Sequence, residues 1–408
     1  MTGNAHPSSA EPESAYALLR LGIALALGTI GSVGMWSFVV ALPAVQADFG
    51  VTRAEASLAF ALTMIGFGVG GVVTGRLSDR FGFVLPAACG VLALGLGYVL
   101  SSIASNLWFF ALAQGLIGFG SSATFGPLMT DISHWFTRRR GIAVAIASCG
   151  NYLAGTIWPP IVQYFIATEG WRTTQIGIGI LCVVTMLPLL LVLRRRAPMH
   201  HAEIAGATAT AARGSLGISA NALMVLLCVA GVACCVAMAM PQVHIVAYCG
   251  DLGYGPARGA EMLALMMGFG IFSRLAAGLI ADRIGGLKAL LIGSVLQGVA
   301  LFLYLWFDGL TSLYVISALF GLFQGGLVPM YAIIVREYFS PQEAGTRLGI
   351  VLMATLFGMA LGGWMSGAIF DLTGSYQAAF LNGTIWNMIN AAVVLWLLLR
   401  LGRRVAYA

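Results

Sequence analysis

Charge is what this chain of 408 residues has least of: only 9% are Asp, Glu, Lys or Arg. Globular domains carry about 25%, so a water-soluble body of this size is excluded. Lysine is nearly absent, with Lys288 the single example. Cysteine has no usable pattern. Cys89, Cys149, Cys182, Cys228, Cys234, Cys235 and Cys249 show neither pairing nor metal spacing. Adjacent Cys234 and Cys235 would point to different faces of a helix, so all seven read as small packing residues. His200-His201 has nothing nearby to complete a metal site and reads as solvated loop. Neither a metal nor a cofactor is expected. No basic start followed by an apolar core opens the chain, so residues 1–17 read as a polar tail and not a signal peptide. The net charge of +6 lies in short loops without interleaved aromatics, which excludes a nucleic-acid surface. No acid/base constellation occurs in the apolar runs, which argues against an enzyme.

What is present is hydrophobic length. Apolar residues make up 59% of the chain, arranged in repeated runs of about 20, the length that crosses a bilayer. Twelve spans are predicted, near 18–42, 55–75, 84–104, 107–133, 141–165, 173–193, 219–247, 260–281, 287–307, 311–335, 347–370 and 377–400. The expected fold is all-α, with six-helix bundles at 18–193 and 219–400, a cytoplasmic linker at 194–218 and a tail at 401–408. With both termini inside, Arg20, Arg76, Arg80, Arg138 to Arg140, Arg194 to Arg196, Arg283, Lys288, Arg336 and Arg347 are cytoplasmic. Only Arg53, Arg172 and Arg258 fall outside, so the positive-inside rule orients the chain.

The halves repeat each other at an offset of 203 positions. That offset relates Gly75-Arg-Leu-Ser-Asp79-Arg80-Phe-Gly82 to Gly278-Leu-Ile-Ala-Asp282-Arg283-Ile-Gly285. It also relates Trp135-Phe136 to Tyr338-Phe339, and Gly50 to Gly253. A duplicated bundle is the simplest account. Such repeats are typical of secondary transporters, with the substrate site between the halves near the midplane.

Arg274 is the one charge in the run Met262–Ala281. Eight residues before Asp282, it lies about 12 Å up a helix rising about 1.5 Å per residue, near the middle of a hydrocarbon core about 30 Å thick. A charge there costs at least about 2.5–3.5 kcal/mol and normally faces a polar cavity or a partner. It reads either as neutralised by a neighbouring carboxylate or as an anion-binding residue. Few carboxylates occur in the spans, which favours the anion site. Asn151, Tyr152, Gln324 and Tyr331 could orient a ligand or bridge helices, and Trp36, Phe38 and Met262–Met267 could form an apolar wall. His244 suits a proton carrier or a hydrogen-bonded helix position. Asp131, beside His134 and near Arg138 to Arg140, reads as a local ion pair or a proton relay. Gly66-Phe-Gly68-Val-Gly-Gly71 matches GxGxxG, but no strand precedes it, so it reads as close helix packing.

The Gly75-x-x-x-Asp79-Arg80-x-Gly82 turn, with its weaker copy, resembles the loop motif of the major facilitator superfamily. More narrowly, Arg274, Phe125-Gly126-Pro127 and Arg139-Arg140-Gly141 leading into Gly150-Asn-Tyr152 are similar to the monocarboxylate transporter and oxalate:formate exchanger group. The resemblance implies two bundles about a pseudo-twofold axis working by alternating access. It also implies a cytoplasmic gating latch of Gly75, Asp79, Arg80, Gly278, Asp282, Arg283 and Arg140. The chain departs from the group at Gly270, where eukaryotic members often carry Asp, and has no Lys in the first or eleventh span.

The expected function is transport of a small organic monocarboxylate by proton symport or anion exchange. The expected partners are that anion, a proton or counter-anion, and the bilayer, with the monomer functional in a bacterial inner membrane. An exporter of hydrophobic compounds and a non-transporting membrane sensor are the alternatives.

Overall fold

A computed structural model describes residues 14–136, 140–195 and 217–405, excluding the side chains at 140, 341–342 and 402–405. Most of the expected linker, the tail to residue 13, Arg138 and Arg139, and the Arg140 side chain lie outside the described residues. Among the described residues, twelve helices are long and apolar enough to cross a membrane. They are α1 (Ala15–Phe49), α2 (Arg53–Phe81), α3 (Val84–Ser102), α4 (Leu107–Trp135), α5 (Gly141–Glu169) and α6 (Trp171–Val192) in the first half. The second half holds α7 (Ala220–Asp251), α8 (Pro256–Ile284), α9 (Gly286–Trp306), α10 (Leu310–Tyr338), α11 (Glu343–Thr373) and α12 (Tyr376–Leu401). An even number of spans returns the chain to the end where it began, called here the basic end; the opposite one is the far end.

Several helices outrun their apolar segments. Helix α1 starts at Ala15, inside the stretch read as tail, because Ser14 caps it by accepting from the Ala17 amide. It continues past residue 42 to Phe49, where Gly50 turns the chain at φ 61°. The last helix continues past residue 400 to Val405. Hydropathy measures the thickness of the hydrocarbon layer, whereas helix ends are set by caps and turns.

The 203-residue register is visible in packing. Gly50 and Gly253 both turn with positive φ after the first helix of their half, and Gly82 and Gly285 do so after the second. A Cβ at Gly118 would lie 2.0 Å from the Thr63 carbonyl oxygen, and one at the matching Gly321 would lie 2.0 Å from that of Met266. Both halves therefore press their second and fourth helices together through the same small residue. Helix α4 is interrupted at 123–125 and α10 at Gly325–Gly326, again at corresponding places. Ser32 breaks α1, and Cys149 breaks α5.

Large apolar side chains cover the outside, among them Leu372, Trp306, Leu279 and Leu112, all more than 60% exposed. A surface this apolar belongs in lipid. One buried cluster, from Ala17 to Leu193, lies wholly in the first half. The other runs through both, joining Trp36, Phe60 and Tyr152 to Met238, Val243 and Met267. The seam between the halves is thus part of the core. It is formed on one side by α2 against α11, where Phe60 faces Gly363 and Met353 faces Gly68. On the other side α5 meets α8, where Gly155 faces Met267.

Candidate functional site

Arg274 crosses this second seam. Its Nη1 donates to the carbonyl oxygen of Ser148 at 3.1 Å, in the turn that breaks α5. Its guanidinium lies 4.4 Å from the centre of the Tyr152 ring, a cation–π distance. Tyr152 reaches that position because Gly270, one helical turn earlier on α8, has no side chain; a Cβ there would fall 2.3 Å from the ring. The Tyr152 hydroxyl points on to the carbonyl oxygen of Gly325, in the α10 break, at 3.4 Å.

No carboxylate among the described residues forms an ion pair with Arg274. Its Nε–H is buried and has no hydrogen-bond partner. The edge formed by Nε and Nη2 is the one that grips a carboxylate with two parallel bonds. Arg20 displays that grip in the same molecule: Nε donates to Asp131 Oδ2 at 2.7 Å and Nη2 to Oδ1 at 2.8 Å. Arg274 presents the same edge unfilled.

Of the other residues singled out from sequence, Trp36, Asn151 and Tyr152 gather with Arg274. The Trp36 Nε1–H donates to Asn151 Oδ1 at 3.0 Å, fixing α1 to α5, and the indole packs on Gly155. Gln324 is fully buried at the α10 break, and neither its amide oxygen nor its nitrogen has a partner. Tyr331 turns away into the second half, donating to Asn390 Oδ1 on α12 at 3.1 Å. Asp131 is held by Arg20, 111 positions away in sequence. That arginine also bonds the carbonyl oxygens of Leu193 and Arg195 and lies over Trp135. The turn residues Asp79, Arg80, Asp282 and Arg283 are exposed and make no cross-seam ion pair with any described residue, while Gly75 and Gly278 have open space beside them.

His244 belongs to a second cluster, at the far end, whose centre is Arg53, a residue that its sequence neighbours do not single out. Arg53, by sequence an outer-loop charge, is buried there, 7% exposed. It bonds Gln46 on its own half, and Asp251 and the Tyr376 hydroxyl on the other. Asp371 of α11 accepts the backbone N–H groups of Arg53 at 3.0 Å and Ala54 at 2.7 Å, capping α2 from across the seam. One signal was legible: Asp251 is the 203-residue counterpart of Asp48. Asp48 pairs with Arg172 inside the first half, while Asp251 pairs across the halves.

Two similar bundles, a polar site on their seam and a matched turn in each half together define a membrane transporter with repeated halves. Comparison with known proteins agrees. The family model described as the Major Facilitator Superfamily matches residues 24–312 and 263–406, and the chain belongs to that family. Monocarboxylate transporter 13 of Bos taurus is 28% identical over 381 residues, covering 92% of this chain and 86% of the relative. Monocarboxylate transporter 11 of Homo sapiens is 26% identical, covering 88% and 76%. An aspyridones efflux protein of Emericella nidulans is 25% identical, covering 75% and 61%. Among solved structures, an inward-facing, unoccupied bacterial homologue of the lysosomal transporter Spinster aligns with TM-score 0.70 at 14% identity, covering 96% and 97%. A mutant of the nucleoside transporter NupG aligns with TM-score 0.74 at 14% identity, covering 93% and 99%. At such identities these two report the fold. The chain is a transporter of this superfamily, not an enzyme.

Proposed function

We propose that this transporter carries a small organic monocarboxylate, held by Arg274 at the seam. The unfilled Nε/Nη2 edge of a part-buried guanidinium, with Nε itself buried and unpartnered, carries the reading. Desolvating a cation without a counter-charge is costly, and a substrate carboxylate supplies both the charge and the acceptors. Tyr152 stacks on the cation, Trp36 and Asn151 brace the wall, and Met267 lends it apolar surface. One arginine suits one carboxylate; a dianion would remain half neutralised. The relatives named as monocarboxylate transporters support this substrate class.

The basic end is cytoplasmic by the distribution of arginine, in a bacterial inner membrane, and the monomer suffices for alternating access. Coupling is to a proton or to a counter-anion. The unpaired Asp79 and Asp282 turns belong to a latch that engages in the cytoplasm-closed state and is released here. Export of other small or hydrophobic compounds is the second reading, favoured by the efflux relative of Emericella nidulans.

A binding and counterflow panel in liposomes tests the assignment, using short monocarboxylates, their amides and dicarboxylates. Binding of the acids but not the amides, lost in Arg274→Lys, is the expected result. Equal binding of acids and amides would refute the carboxylate reading.

A further inference from the structure

The far-end cluster contains a hydrogen-bond chain with a direction. His244 Nε2 lies 2.8 Å from the carbonyl oxygen of Gly363. A carbonyl only accepts, so Nε2 carries the hydrogen. His244 Nδ1 lies 3.3 Å from the Tyr376 hydroxyl; as the unprotonated nitrogen of a neutral ring it accepts from that hydroxyl. The Tyr376 oxygen accepts in turn from Arg53 Nη1. Donation therefore runs from Arg53 on α2, through Tyr376 on α12 and His244 on α7, to Gly363 on α11. The first member belongs to one half and the other three to the second.

This order requires a neutral imidazole. A proton on Nδ1 would turn that atom into a donor facing the Tyr376 hydroxyl. The phenol oxygen would then stand between two cations, imidazolium and Arg53, with its own hydrogen displaced. Within Coulombic reach of the ring lie Arg53 of α2 and Asp371 of α11. Asp371 is committed to the amides that open α2, and Asp251 of α7 to the Arg53 guanidinium. Gln46 of α1 is neutral and also bonded to Arg53. Tyr248 of α7 packs edge-on against Tyr376, with ring centres 5.2 Å apart. Among the described residues no uncommitted carboxylate is present to receive an imidazolium in the closed seam.

We propose that His244 is a proton-binding site of the transport cycle, empty while the far-end seam is closed and filled when it opens. Moving α2 away removes Arg53 from Tyr376, frees the hydroxyl to accept from Nδ1–H, and admits water. By linkage the effect is reciprocal: protons favour the far-open state, and the seam closes once the proton has left His244 for the water on the far side. This rests on the alternating-access reading above and makes far-side protons hold that seam open within the cycle.

The test needs no substrate. Spin labels on Val51→Cys and Ser375→Cys, with Cys89 and Cys228 replaced by Ser because their thiols are not fully buried, report the far-end separation in lipid. From about pH 8 to about pH 5, the range in which imidazoles titrate, the open-to-closed ratio should rise. Its steepest slope should be about tenfold per pH unit, as one bound proton requires. His244→Gln should flatten the response. A wild-type separation indifferent to pH, or a response that survives His244→Gln, overturns the proposal.

A second measurement avoids perturbing the site. In a chain whose other histidines, His6, His134, His200 and His201, are Gln, nitrogen NMR of labelled histidine reads His244 alone. The neutral Nε2–H tautomer in the closed state is the expected signal, and an imidazolium in that state overturns the assignment. Monocarboxylate binding on the same samples keeps the two readings apart. Absence of binding with an intact pH response sinks the substrate assignment and upholds this one.

Discussion

Arg20 and Arg274 are both buried or part-buried arginines in membrane helices, and they differ in what faces the Nε/Nη2 edge. Arg20 spends that edge on Asp131, and its remaining nitrogen on Tyr16 and two carbonyl oxygens. Every partner lies within the first half or in the few residues directly after its last helix, so the contact travels with that half as a unit. Arg274 makes one hydrogen bond to a carbonyl oxygen across the seam and leaves Nε unpartnered. A charge neutralised inside one body serves its folding, whereas a charge left open between two bodies is available to a ligand. Arg53 is a third arrangement: one bond goes to Gln46 in its own half, while those to Asp251 and Tyr376 cross the seam and must be broken if the halves separate there.

The largest test of this contrast is Arg20→Ala. It strands the Asp131 carboxylate in a buried site and should cost about 3–5 kcal/mol of stability, seen as a lower unfolding temperature in detergent with ligand affinity unchanged in the folded fraction. Arg274→Ala should reverse the pattern. Losing a charge-assisted contact worth about 1.5–3 kcal/mol weakens carboxylate binding at least about tenfold, with little change in unfolding temperature. Arg274→Lys should fail similarly, because an ammonium cannot reproduce the planar fork. If Arg274→Ala instead unfolds the protein as Arg20→Ala does, the two arginines are equivalent and the contrast collapses.

Smaller effects sharpen the picture. Trp36→Phe removes an indole N–H shared between the side-chain and backbone oxygens of Asn151 and should cost about 0.5–1.5 kcal/mol, read by thermal unfolding, since both partners lie in the first half. Asp79→Asn should change unfolding free energy by no more than about 0.5 kcal/mol, because the carboxylate is exposed and without an ion pair here. Its effect should appear in turnover and in label distances across the basic end, which report the state where the latch engages. A large loss of stability in Asp79→Asn would mean the turn is structural.

The spans were legible because hydropathy is a local property, and the twelve expected segments correspond to twelve helices. The 203-residue register was legible because duplication leaves matched glycines, and the Gly118 and Gly321 contacts follow that register. Arg274 stood out as a lone charge in an apolar run. The partner of Asp131 did not: Arg20 is 111 residues away, whereas three arginines lay closer in sequence. Tyr331 looked like a ligand contact, yet its direction around α10 takes it to Asn390. Arg53 resembled any loop charge, since neither Asp371 nor Tyr376, more than 300 positions later, could be assigned to it.

Composition and local pattern by themselves determined a twelve-span, duplicated membrane transporter, because burying backbone in lipid requires long apolar helices and their order follows the chain. They also marked Arg274, since an unneutralised charge in hydrocarbon is expensive wherever its partners lie. Only the tertiary structure decided which arginine is paired within a half, which one locks the far end and which is left open. Those outcomes depend on how helices rotate and meet across a seam, and no residue's sequence neighbours specify that.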